Sequence, residues 1–213
     1  MASRYSSAFV AAVALALAVA TPQPARAARD ATADKLVILS TTDVKGKTGP
    51  CGCKVPKGGL ARQASFADSM RSEYEHVLLV DNGGFFPEDE AHRPAATFLM
   101  DAMKMLGVSA VGFGERDLRF GYAFYKRNAQ DRALPVVCAN HYDKATRKPA
   151  FQPWRIEKVG GVNVGFFALM SDKAELGLGK DSLYLTEPPV GGRGGVAQEE
   201  GASRPFATTF ALR

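Results

Sequence analysis

Apolar positions change their period along the chain, and the changes mark elements. Leu36-Val-Ile-Leu39 is a short apolar run without alternation that breaks at Thr41-Thr42-Asp43, which predicts a buried strand followed by a loop. After Gly58-Gly59, Leu60, Ala64, Ala67 and Met70 recur at spacings of four, three and three, a helical stripe suited to facing a sheet. Residues 77–81 read as a second strand, broken by Asn82-Gly83-Gly84. Pro94 opens another helix with Phe98, Leu99, Ala102, Met103 and Leu106 on one side and Gly107 as its stop. A third strand at 109–113, a third helix at 121–131 and a fourth strand at 134–138 complete the series.

Strands alternating with helices predict an α/β fold built of βαβ units around a largely parallel sheet. The period then switches to two: Trp154 and Ile156 alternate with Arg155 and Glu157, and Val162 and Val164 flank Asn163, with Gly160-Gly161 between the runs. That pattern is a β-hairpin with a two-residue turn. From 187 to 213 five Gly and three Pro interrupt any apolar period, so this stretch reads as a low-order tail, and 28–186 as the domain.

The composition, 46% hydrophobic and 23% charged, is that of a globular chain. Residues 1–27 read as a secretory signal peptide: Arg4 precedes an apolar run over 9–20 that is too short for the roughly 20 residues of a bilayer span, and Ala25-Arg26-Ala27 supplies a small-x-small cleavage pattern. Arg4 and Arg26 leave with the leader, which takes the formal net charge from +5 to +3. That mild, unclustered charge argues against a nucleic-acid partner, and no other run is long enough to span a membrane. The expected location is periplasmic or secreted, an oxidising setting for Cys51, Cys53 and Cys138.

Ligands of open α/β sheets gather at the carboxyl ends of parallel strands. Those ends are predicted to carry Thr41 to Lys45, Asp81 to Gly84, Gly112 to Asp117 and Cys138 to His141. Leu39-Ser-Thr-Thr-Asp-Val-Lys-Gly46, Gly58-Gly-Leu-Ala-Arg62, Leu78-Leu-Val-Asp-Asn-Gly-Gly-Phe-Phe86 and Val111-Gly-Phe-Gly-Glu-Arg-Asp-Leu-Arg-Phe-Gly121 follow one another there. In order and spacing they resemble the successive motifs of periplasmic 5′-nucleotidases, within the calcineurin-like metallophosphoesterases. The resemblance continues through Leu134-Pro-Val-Val-Cys-Ala-Asn140 and the hairpin, over about residues 36–172.

The resemblance implies a layered αββα metallophosphoesterase sandwich, here cut short. It also implies phosphate-ester hydrolysis with two divalent metal ions such as Mn²⁺ or Zn²⁺. Asp43 matches the first metal-binding aspartate. Lys45 stands where relatives have histidine, Gly84 where they have the bridging aspartate, and Glu115-Arg116-Asp117 where they have Asn-His-Glu. The histidines that relatives supply from the second half of the domain have no match after Asp172, so the chain reads as the first part of a larger one, or as a product of a shifted reading frame.

Two-metal hydrolysis needs anionic or imidazole ligands around both ions, and a protonated Lys or Arg has no lone pair to offer. Two readings follow for the old metal cavity. Lys45 and Arg116 could neutralise Asp43, Glu115 and Asp117 as a salt-bridge cluster. Alternatively they could hold a small phosphate-containing ligand, helped by the backbone amides of Gly83 and Gly84. Asp43, Arg116 and Asp117 are the catalytic candidates that the motif positions imply, and Asp43 is the remaining metal-ligand candidate.

Pro50-Cys-Gly-Cys53 is the second unusual feature, and resembles an insert in some UshA-like proteins of this group. A Cys-x-Cys pair can close a small disulfide, ligate a soft metal, or hold a low-pKa thiol beside a cation such as Lys54. Cys138 could pair with Cys51 or Cys53, or join them and His141 in a metal site. His76 and His92, lacking partners at ligand spacing, read as solvated surface residues.

Overall fold

The computed structural model describes residues 35–171 and 173–186, and the backbone of 206–211. The leader read at 1–27, and 187–205 and 212–213 of the predicted tail, lie outside the described residues. Strands β1 (Leu36–Thr41), β2 (His76–Asp81), β3 (Ala110–Gly112) and β4 (Val136–Val137) pair in parallel in that order. Between them run α1 (Leu60–Glu73), α2 (Arg93–Leu106) and α3 (Tyr122–Asp131), because parallel neighbours require a crossover and the helices supply it. Then come a short β5 (His141–Asp143), the hairpin β6 (Trp154–Val159) and β7 (Val162–Leu169), and β8 (Leu183–Leu185), which pairs antiparallel with β5.

Two apolar clusters separate the layers. Phe85, Phe86, Leu99, Met100, Phe113, Leu118 and Tyr125 fill the space on the helical side of the parallel sheet. On the other side, Leu78, Val80, Ala110 and Val137 pack against Val164, Phe166 and Ala168 of β7, the alternate residues of a strand with one buried face. Helices, parallel sheet and second sheet thus stack as consecutive layers of the expected sandwich.

The hairpin forms as its sequence predicts: Gly160 and Gly161 take φ of 57° and 80°, a two-residue turn that L side chains resist. Gly160 has a second reason to lack a side chain, since a Cβ there would lie 2.5 Å from Cδ2 of His76. His76 is therefore half-buried beneath the turn rather than solvated. His92 is exposed as expected, with Nδ1 2.6 Å from Asp89.

Other expectations are corrected. β1 is not buried; it lies at the sheet edge with β2 as its one strand neighbour among the described residues, and Leu36 and Ile38 are each 36% exposed. In α2 the buried side is Ala96, Leu99, Met100 and Met103, while Phe98 faces outward, because the sheet meets the helix one residue around from the predicted stripe. β4 is two residues long because the chain leaves the parallel sheet early: Cys138 N–H donates to Gln152 O at 3.0 Å and Ala139 N–H to Ala168 O at 2.8 Å, toward the second sheet. β9 (Phe206–Ala211), within the segment read as low-order, runs parallel to β7.

Phe86 is fully buried with the rings of Phe85, Phe120, Phe124 and Tyr125 at centroid distances of 5.1–5.8 Å. Phe86→Ala is expected to cost about 3–5 kcal/mol in urea unfolding, as a buried aromatic deletion does. A loss below about 1 kcal/mol would show that this ring cluster is not the core.

Candidate functional site

At the carboxyl ends of β1, β2 and β3 the chain encloses a cavity of about 420 Å³ lined by Thr42, Asp43, Asn82, Gly83, Gly84, Gly114, Glu115, Arg116, Met170, Ser171 and Ala174. Three of the four predicted loops therefore converge. The fourth, 138–141, acts from behind: Asn140 donates to Met170 O at 2.7 Å and accepts from Met170 N–H at 3.0 Å, which fixes the end of β7 on the cavity wall. Met170 and Ser171 were absent from the sequence reading. The available signal was the end of the β7 alternation, which puts one more strand terminus near the same edge.

The loop after β1 is held by its backbone against the loop after β2. Asp43 N–H donates to Gly83 O at 3.0 Å, Lys45 N–H to Gly84 O at 3.3 Å and Gly46 N–H to Phe85 O at 2.7 Å. Asp43 and Lys45 each take φ of 54°, a left-handed conformation that non-glycine residues adopt rarely and that tends to occur at functional loops. Asp43 thereby lines the cavity, and Lys45 Nζ lies 2.9 Å from Asp43 Oδ2.

Arg116 completes a chain of charges. Its Nε is 3.6 Å from Asp43 Oδ1 and its Nη1 is 2.9 Å from Glu88 Oε1. Arg119 holds Glu88 in turn, by donating from Nε to its backbone carbonyl. The expected pairing of Lys45 and Arg116 with Asp43 is present. The expected pairing with Asp117 is not, and Glu88, which no motif pointed to, is the second carboxylate on Arg116.

Asp117 is fully buried beneath the cavity and bound by amides instead of cations. Its Oδ2 accepts from Gly84 N–H at 2.8 Å and Gly114 N–H at 3.0 Å, and its Oδ1 from Phe85 N–H at 3.0 Å and Phe86 N–H at 3.3 Å. Asp81, also buried, accepts from Thr41 Oγ1 at 2.5 Å and from Gly83 N–H at 2.8 Å. The amides of Gly83 and Gly84 are therefore already committed to carboxylates, which corrects their expected role as free anion donors. Gly84 takes φ of 75°, and a Cβ there would lie 3.1 Å from Asp43 Oδ1, so a side chain at this position would be strained and would press on Asp43.

The three cysteines do not meet. Cys51 and Cys53 lie in the loop before α1, whereas Cys138 is buried with its Sγ 2.8 Å from His141 Nδ1, and all three are free thiols. Neither a disulfide from Cys138 to the loop nor a shared Cys–His metal site is formed. Burial pushes the Cys138 thiol up to about 12 and His141 down to about 4, so this pair is neutral. Among the described residues no three His, Cys, Asp or Glu side chains group as a metal site.

No family model matches the chain. It is 27% identical over 179 residues to a 5′-nucleotidase of Vibrio parahaemolyticus, covering 80% of this chain and 31% of that protein. It is 29% identical over 146 residues to a 2′,3′-cyclic-nucleotide 2′-phosphodiesterase/3′-nucleotidase of Yersinia enterocolitica, covering 61% and 22%. Among solved structures, a 5′-nucleotidase precursor from Thermus thermophilus superposes with a TM-score of 0.70 at 20% identity, over 83% of this chain and 37% of that one. A calcineurin-like phosphoesterase from Bacillus subtilis superposes with a TM-score of 0.64 at 20% identity, over 82% and 61%. The chain thus has a partial, N-terminal 5′-nucleotidase-like fold, and it spans about a third or less of the length of these curated relatives.

Burial pushes Asp117 up to about 7, against the pull of the Gly84 and Gly114 amides and with the Asp81 carboxylate adding to the push, and burial pushes Asp81 up to about 6. Both folded values exceed the ordinary 3.8, so the folded chain keeps protons that the unfolded chain gives up. Stability from these two groups is complete below pH 4 and falls as pH rises toward 7. His141, lowered by burial, works in the opposite direction between about 4 and 6.5. Asp117→Asn isolates the first contribution. Its carboxamide nitrogen cannot accept from the amides, which costs about 1–3 kcal/mol per unmet donor. The stability gap between wild type and this variant should narrow from pH 4 to pH 7 in urea titrations. A gap independent of pH would refute the assignment.

Proposed function

We propose that this chain is an exported, 5′-nucleotidase-like phosphoesterase homologue whose cavity binds a small phosphate ester and does not turn it over by two-metal hydrolysis. The observation that carries this reading is Arg116 on the cavity wall, bridged between Asp43 and Glu88, with Lys45 closing the same carboxylate from its other oxygen. The donor set does not fit two divalent ions. Asp43 is occupied by two cations, Asp117 and Asp81 are turned inward onto amides and a hydroxyl, and Lys45 and Arg116 would repel a metal ion.

The chemistry that this arrangement supports is recognition. A phosphate entering the cavity would exchange places with the Asp43 and Glu88 carboxylates at the Arg116 fork, a geometry that suits a bidentate anion. Such exchange costs two existing ion pairs, whose carboxylates are 52% and 70% exposed and which are hence weak. Thr42 and Ser171 add hydroxyls that can donate to a ligand in the same cavity. Asp117 is then a positioning residue that fixes the loops, rather than a group that touches the ligand. Relatives named as nucleotidases support a nucleoside monophosphate as the ester, and the leader read at 1–27 supports export.

Titration calorimetry with AMP, without added metal, is expected to show saturable binding that Arg116→Gln weakens by about tenfold or more, the usual worth of a charged hydrogen bond. Phosphate release from AMP in the presence of Mn²⁺ or Zn²⁺ is expected to stay at the blank rate. Metal-dependent release that Asp43→Asn abolishes would overturn the proposal, as would AMP affinity unchanged by the Arg116 substitution.

A further inference from the structure

The loop between β1 and α1 carries a feature that the cavity does not use. Leu60 N–H donates to Thr48 O at 2.9 Å and Cys51 N–H to Lys57 O at 2.8 Å, so 48–60 is a closed loop tied at its neck and again inside it. Its base is packed onto the start of α1, since a Cβ on Gly59 would lie 2.9 Å from Pro50 N. The Lys57 N–H also points at Cys51, 3.4 Å from its Sγ. Cys51 is half-buried and Cys53 exposed. Between them Gly52 has no atom within 4 Å of its missing Cβ, so nothing crowds the backbone that joins the two thiols.

The charge around this pair has one sign. From 44 to 67 the chain holds Lys45, Lys47, Lys54, Lys57 and Arg62 and no Asp or Glu. Lys45 is taken by Asp43, but among the described residues Lys47, Lys54 and Lys57 lie within ion-pair distance of no carboxylate. Lys47 is near enough to Cys53 to favour its thiolate. Two residues of chain span at most about 7 Å, and bridged cysteines need Cα atoms about 4.4–6.8 Å apart. The separation that a link requires is therefore within reach of the two-residue span.

We infer that Cys51-Gly52-Cys53 is a thiol–disulfide exchange site, distinct from the cavity, whose substrate is a small disulfide carrying net negative charge. Cys51 is the attacking sulfur and Cys53 the resolving one. The Cys53 thiol, hydrogen-bonded to Cys51, and the Lys57 N–H hold Cys51 below the usual thiol range, while donating to Cys51 holds Cys53 above it. Cys51 thiolate attacks one sulfur of the substrate disulfide, forming a mixed disulfide and releasing the other sulfur as a thiolate that takes a proton from water. Cys53 then loses its proton and attacks Cys51 Sγ, releasing the second substrate thiolate and leaving the Cys51–Cys53 disulfide. Two electrons pass from the protein pair to the substrate, and two equivalents of the anionic thiol run the steps in reverse.

The test uses the reduced full chain with oxidised glutathione as the anionic probe and cystamine as a cationic one, quenched by acid and mapped by mass spectrometry. Wild type should gain a Cys51–Cys53 link, and Cys53→Ser should accumulate a glutathione adduct at Cys51. At low salt the glutathione reaction should exceed the cystamine reaction by about tenfold or more through electrostatic attraction, and the ratio should fall toward one at 1 M salt, where screening acts within about 3 Å. Limiting iodoacetamide on unmodified wild type should label Cys51 before Cys53, although Cys53 is the more exposed. Earlier labelling of Cys53, persistent adducts on both cysteines without a link between them, or cystamine reacting as fast as glutathione would each overturn the inference.

Discussion

The cavity depends on one buried carboxylate. Asp117 accepts four backbone N–H groups, from Gly84, Phe85, Phe86 and Gly114, and so ties the loop after β2 to the loop after β3. These amides end a strand and turn into the core at Phe85 and Phe86, where no water can serve them and no neighbouring strand is in register. A buried N–H without a partner costs as much as a lost hydrogen bond, so an acceptor with two oxygens placed among them removes the largest local obstacle to this turn. Once that loop is fixed, the carbonyls of Gly83, Gly84 and Phe85 become the template on which the loop after β1 lies down. The left-handed residues Asp43 and Lys45 are tolerated because that template over-determines them.

The same carboxylate decides what the cavity can offer. Because the Gly84 amide is spent on Asp117 and the Gly83 amide on Asp81, neither is open to an anion, and Arg116 is the cationic side chain on the cavity wall. The cations are themselves matched, Lys45 and Arg116 against Asp43 and Glu88. An anion therefore does not find the Gly83 and Gly84 amides open, and on the proposed reading gains what Arg116 and Lys45 offer once their carboxylates give way. On that reading, such a site holds a phosphate ester with moderate affinity.

Much of the frame was legible from the chain. The order of strands and helices, the parallel sheet, the Gly160-Gly161 turn and the convergence of Asp43, Gly84 and Arg116 all follow from periods and punctuation that act locally. What escaped was non-local. Whether Leu36 and Ile38 are covered depends on which strand occupies the sheet edge, and Phe98 depends on the angle at which α2 meets the sheet. Glu88 is 28 residues from Arg116, in a loop with no periodic signal, and only the fold brings them together. Asp117 was grouped with the cations by charge, when its depth in the structure makes backbone amides the nearer partners. The 138–141 loop was expected to present Cys138 and His141, and it presents Asn140 as a clamp because the chain there has already turned toward the second sheet.

The contrast between the two cationic groups then separates charge that builds from charge that attracts. Lys45 and Arg116 sit within reach of carboxylates placed by the fold, so their fields are cancelled at short range and felt mainly by a ligand that can displace those partners. Lys47, Lys54 and Lys57 have no such carboxylates among the described residues, and the 24 residues from 44 to 67 hold none; their field extends a Debye length, about 8 Å at physiological salt, into solvent. A like-charged cluster on a closed loop is a cost to the folded state, and relocating one acidic residue into it would relieve that cost. The cluster instead shares its loop with two thiols whose exchange, on the reading inferred above, proceeds through an anion; Lys47 favours the thiolate of Cys53, and the remaining uncompensated charge would act on an anionic substrate approaching the loop.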